Sequence, residues 1–164
     1  MKKTVSVLLT CFLVVGALNA QDHTKLKDIP LNNKEDCSSA QPTVLQCANA
    51  LLSSECKENV ESLNSIAFVM RWMEATPDYK FEINPAVFKA IGSNSVLAGR
   101  YLASLAKTAL EKGITSEDEF QIESISVFLD YCQKPEAAVK IPKKLQRLIE
   151  AKQNGKLADA ISGS

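Results

Sequence analysis

The sequence predicts an all-α protein, with five to six helices packed as antiparallel hairpins in a single small domain. Three observations carry this expectation. Apolar residues recur at three- and four-residue spacing through most of the chain after residue 39. No segment sustains the strict alternation of a half-buried strand, and no Asn-Gly or Asp-Gly joins two strand-like runs. Residues that start or stop helices (Pro42, Asn84-Pro85, Gly92, Gly113, Ser116, Pro135) fall between the periodic stretches.

Met1-Lys2-Lys3-Thr4 is a short positive segment, and Val5 to Ala17 follows without a charge. That run suits the ~7–15-residue apolar region of a signal peptide and falls short of the ~20 residues that span a bilayer. Residues 1–20 are therefore expected to be a cleavable leader of bacterial type, with Ala17 and Ala20 competing as the cut. Cys11 comes too early to serve as a lipidation site. The address is the periplasm or the exterior, and no later run is long enough for a transmembrane anchor. The whole chain carries 19 basic and 19 acidic residues. Losing Lys2 and Lys3 leaves a slight acidic excess, which argues against a nucleic-acid partner.

Residues 21–38 are polar, contain Pro30 and the lone His23, and read as a flexible linker; the helical domain is expected over 39–164. Pro42 suits the first turn of a helix that carries Val44, Cys47, Ala48, Leu51 and Leu52. Val60, Leu63, Ile66, Ala67, Met70 and Met73 mark the next, which Pro77 stops. Phe68, Val69 and Trp72 fill its other faces, so this helix is expected to be the most buried. After a loop holding Tyr79 and Phe81, Asn84-Pro85 opens a short helix to about Ile91. A helix over 95–112 shows a broad apolar face from Leu97 to Leu110 and is closed by Gly113. Ser116 and Glu119 have capping-box spacing ahead of the stripe Ile122, Ile125, Phe128, Leu129 and Cys132. Beyond Pro142 come Leu145, Leu148 and Ile149, then a short turn from Leu157 to Ile161. The spacing of the helix pairs matches no solenoid repeat.

Four cysteines follow the leader: Cys37, Cys47, Cys56 and Cys132. In an exported chain they are disulfide candidates. Cys37–Cys56 is the least comfortable pairing across an intervening helix. Two connectivities stay open: Cys37–Cys132 with Cys47–Cys56, or Cys37–Cys47 with Cys56–Cys132. No C-x-x-C and no paired knuckles occur, so thioredoxin-type redox chemistry and structural zinc lack their signatures.

Catalytic triads and histidine-based metal sites need imidazoles in a packed site, and His23 is the only one. No glycine-rich phosphate loop occurs, and no cofactor or metal is expected. Paired carboxylates remain as the alternative, a hydrolytic enzyme, with Glu74, Asp78, Glu82 and Asp130 nearest apolar segments. The most distinctive stretch runs from Arg71 to Tyr79. Arg71, Trp72, Asp78 and Tyr79 form a candidate binding surface, because Trp, Tyr and Arg are enriched at hot spots. The blander alternative packs Trp72 and Tyr79 against the core, and the pattern favours it. Trp72-Met73-x-x-Thr76-Pro77-Asp78-Tyr79 resembles a segment of uncharacterised exported bacterial helical proteins, which implies an exported helical fold and no activity. Between Lys134 and Lys156, seven basic residues face Glu136 and Glu150, the pattern of a docked helix with a solvated basic face. The functional expectation is a non-enzymatic protein, periplasmic or secreted, that acts by binding another protein.

Overall fold

The computed structural model describes residues 25–113 and 116–162. The leader expected over residues 1–20, its two candidate cuts and His23 lie outside them. Among the described residues are seven α-helices and no strand. They are α1 (Lys34–Leu51), α2 (Val60–Ala75), α3 (Pro85–Ile91), α4 (Ser95–Lys112), α5 (Glu117–Gln133), α6 (Lys143–Gln153) and α7 (Leu157–Ser162), with single 3-10 turns at Leu26–Asp28 and Pro135–Ala137. The seventh helix is the C-terminal segment expected only as a turn. No helix among the described residues is long and apolar enough to cross a membrane.

Short polar side chains set the helix starts. Asn33, Asn59, Asn84 and Asn94 each cap a helix, accepting from Asp36 N at 2.8 Å, Ser62 N at 2.7 Å, Ala86 N at 3.0 Å and Leu97 N at 2.9 Å. Ser116 caps α5 through Glu119 N. Each such bond satisfies an amide that the helix leaves open, and contributes about 1 kcal/mol. Gly113 ends α4 at φ +74°, a conformation that side-chain-bearing residues avoid.

The chain is organised around α4, eleven of whose eighteen residues are buried. It packs on α1, α2 and α5, with a smaller contact to α3, while α6 and α7 close over α3 and α5. The centre therefore belongs to α4 and not to α2, as periodicity had suggested. Gly99 is what lets α2 come close. A β-carbon at that position would lie 2.7 and 2.9 Å from Ile66 Cγ1 and Cγ2, inside contact distance for a branched, stiff side chain.

Two further expectations are corrected. Helix α1 starts at Lys34, so Pro42 sits well inside it and not in its first turn. Proline there removes the amide that would bond to the Ser38 carbonyl, but Ser38 and Pro42 are both exposed, and water can reach that carbonyl. From residue 25 onward, the segment expected as a flexible linker is packed. Leu26 is buried on α2, and Cys37 and Ala40 are buried in the first turns of α1.

Candidate functional site

The stretch Arg71–Tyr79 turns out to be the clamp that holds this N-terminal segment. The Arg71 guanidinium donates to the carbonyls of Lys27 at 3.1 Å, Ile29 at 3.1 Å and Leu26 at 3.4 Å. Trp72 is fully buried, and its Nε1 donates to the Cys37 carbonyl at 3.0 Å. Asp78 pairs with Lys34 at 2.6 Å. Tyr79 is half-buried, its ring 5.6 Å from that of Trp72, and Phe81 extends the cluster to Phe120 on α5. As a contact surface this set fails at its centre. A side chain with no exposed area cannot meet a partner, and only Arg71 fronts an open groove.

That groove borders the outer face of α2. Val60, Leu63 and Met70 are 69 %, 43 % and 40 % exposed, and Ala67 between them is exposed too. Their 3-4-3 spacing is the narrow seam by which one helix receives another, rather than the broad stripe that faces a core. Ser62, Ser65, Phe68, Val69 and Trp72 are buried on the opposite side. At 3.6 residues per turn the two stripes lie diametrically across the helix. So α2 buries two serines and leaves its apolar seam in water. Beside Ala67 a groove of about 290 Å³ runs toward the Leu26–Asp28 turn, lined by Lys27, Asn64, Ala67, Phe68 and Arg71.

Ser62 is inside because it serves Arg100. This arginine, in the second turn of α4, has no exposed area. Its Nη2 donates to the Glu55 carbonyl at 2.9 Å and to Ser62 Oγ at 3.2 Å, and its Nε to Tyr131 Oη at 3.2 Å. None of these partners is a carboxylate, and Nη1 has no partner at all. Tyr131 in turn donates to the Ser54 carbonyl at 3.0 Å and meets the Cys56 thiol. A buried guanidinium held only by neutral acceptors is an expensive way to fill a core, and it places this network among the molecule's most constrained positions.

Burial pushes the Tyr131 phenol up to about 12 despite the pull of Arg100, and pushes the Cys132 thiol up to about 12 with a further lift from Cys56. Both groups fold as neutral species. Their contribution to stability is complete below the ordinary thiol value of 9.0. It drains away between pH 9 and pH 12 as the unfolded chain ionises first. The urea midpoint of the reduced protein, followed by circular dichroism, is expected to fall steeply across that window. Tyr131→Phe should flatten the upper part of the fall, and an unchanged profile would contradict the assignment.

The carboxylates singled out in the sequence are dispersed. Asp78 pairs with Lys34, Asp130 with Lys152, and Glu82 with Lys80 at 3.4 Å. Glu82 does meet an acid, Glu117, at the rim of a cavity of about 450 Å³ between α3, α5 and α7. Their carboxyl groups share a hydrogen bond, which raises Glu117 and, with help from Lys80, lowers Glu82. Glycoside hydrolysis between two carboxylates needs roughly 5–9 Å between them for the scissile bond and its water. A pair in direct contact leaves no such room. Among the described residues no three His, Cys, Asp or Glu converge to hold a metal ion.

None of the four cysteines expected to be bridged is in a disulfide. The fold rules out one pairing, Cys37–Cys47, and leaves Cys56–Cys132 open. Cys37 and Cys47 share α1, and ten residues at ~1.5 Å each separate them by about 15 Å, twice the reach of a bridge.

No protein-family model matches the chain, and neither does any curated protein or any solved structure. The site therefore rests on its own geometry. Two signals of it were present in the sequence: the 3-4-3 seam on α2, read there as core, and a lone arginine at a core position of the best-patterned helix.

Proposed function

We propose that this is an exported helical protein that works by binding, its α2 seam receiving an amphipathic helix of another exported protein. One observation carries the reading: Val60, Leu63, Ala67 and Met70 are left exposed at coiled-coil spacing on a helix whose other face is already buried. Ala67 gives the close approach that a helix crossing needs, and the groove beside it takes a bulky side chain. Lys27 and Arg71 flank the groove, so the partner helix carries acidic residues beside its apolar seam. The leader-like first twenty residues, and the resemblance around Trp72 to exported helical proteins, agree with that address.

The test is a photoactivatable residue placed at position 67 of the exported protein in its native envelope. It should crosslink to a helical segment of another chain, and Leu63→Glu with Met70→Glu should abolish the product while leaving the helical spectrum intact. The same label at Arg147, exposed on α6, should give no such product. Crosslinks that survive the double substitution, or that join only two copies of this chain, would overturn the reading.

A further inference from the structure

We propose that Cys56 and Cys132 are an oxidisable thiol pair that closes into a disulfide by exchange with an external disulfide. The geometry begins with how the α1–α2 connection is tied to the end of α5. Lys134 Nζ donates to the Leu52 carbonyl at 3.2 Å, Tyr131 Oη to that of Ser54 at 3.0 Å, and Arg100 Nη2 to that of Glu55 at 2.9 Å. The amide of Cys56 donates to the Ala137 carbonyl at 2.8 Å. Leu52 and Ser54 are thus fastened to the end of α5, Cys56 to the 3-10 turn behind it and Glu55 to α4, which holds the connection against the last turn of α5, where Cys132 lies. The Cys56 thiol meets the hydroxyl of Tyr131, the residue next to Cys132.

The two thiols have different access. Cys56 is half-exposed in the connection, whereas Cys132 is 3 % exposed in the core. Burial and the neighbouring Cys56 keep the Cys132 thiol protonated, which makes it the second sulfur to react and not the first. The sequence of steps is thiol–disulfide exchange. The Cys56 thiolate attacks one sulfur of the external disulfide, whose S–S bond breaks and releases a first thiol. Cys132 then attacks the Cys56 sulfur of the mixed disulfide, loses its proton to the departing thiolate, and releases a second thiol. This chain gives up two electrons and two protons, and the external disulfide becomes two thiols. Cys37 and Cys47 take no part, each being fully buried in α1.

The inference is independent of the α2 seam, and its test reads sulfur chemistry rather than partner capture. The reduced full chain is incubated with oxidised glutathione, quenched, alkylated and mapped by mass spectrometry. A peptide linking Cys56 to Cys132 is expected. The bridge closes a loop of 76 positions, so the melting temperature should rise by roughly 10 °C. Cys56→Ser should abolish both the linked peptide and the shift. Cys132→Ala repeats the result in a substitution that keeps the core apolar, and Cys37→Ala leaves both intact. A Cys47–Cys56 bridge, a glutathione adduct that persists on Cys56, or four thiols still alkylatable on unfolding would each overturn the proposal.

Discussion

Trp72→Ala is expected to cost about 4 kcal/mol of folding stability, within the range for deleting a fully buried large aromatic. The indole has no exposed area and ties α2 to two other parts of the fold directly and to a third through Phe81. Its Nε1 bond reaches α1 at Cys37, its ring meets Tyr79 and Phe81 in the α2–α3 connection, and Phe81 passes the contact on to Phe120 of α5. Removing it opens a cavity between elements that stiff backbone keeps apart, so little of the volume can collapse. Trp72→Phe should cost about 1–2 kcal/mol, since a ring remains and one hydrogen bond to a carbonyl is lost. Urea denaturation followed by circular dichroism checks both. It separates the two roles that the sequence allowed for this residue. A surface anchor would lose binding with its urea midpoint unmoved, whereas a structural clamp loses midpoint first. Trp72 is also the only tryptophan, so its emission in the native protein should be blue-shifted and move to the red on unfolding.

How much of this was legible beforehand depended on the range of the cause. Features written within a few residues could be read. Asn84-Pro85 opens α3, Gly113 closes α4, and Ser116 opens α5, each as local capping chemistry requires. Pro42 shows the limit of such reading. A proline suits both the first turn and an exposed interior position, and only the Asn33 cap, nine residues before Pro42, decides which. The side on which α2 is buried was not local at all. Periodicity favoured Val60, Leu63 and Met70, but on the opposite flank of α2 Gly99 admits Ile66, and Arg100 recruits Ser62 one turn before it. Both residues lie more than thirty positions away. The Cys37–Cys47 pairing failed for a related reason. The spacing of Cys37 and Cys47 gives no sign that one helix runs through both, because the residues between them include a proline.

Arg100→Ala should be the most damaging substitution in α4, at about 3–5 kcal/mol, because it combines a cavity with acceptors that lose their donors. The instructive comparison is with methionine and lysine. Methionine fills most of the space and removes a charge whose desolvation nothing ionic offsets, so Arg100→Met should recover at least half of the alanine loss. Lysine keeps the charge and loses the fork. Its single ammonium cannot reach Glu55 O, Ser62 Oγ and Tyr131 Oη with the geometry that Nε and Nη2 provide, and it is the more strongly hydrated cation. Arg100→Lys should therefore be less stable than Arg100→Met. An order with lysine closest to the native arginine would mean that the positive charge itself holds this network together. The expected order means that shape and three directed hydrogen bonds do, with the charge a burden that the fold carries. In that case the stretch from Leu52 to Cys56 should loosen in step with the loss. Amide exchange at Cys56, whose N–H is bonded to Ala137 O, should accelerate most in the lysine and alanine variants and least in methionine.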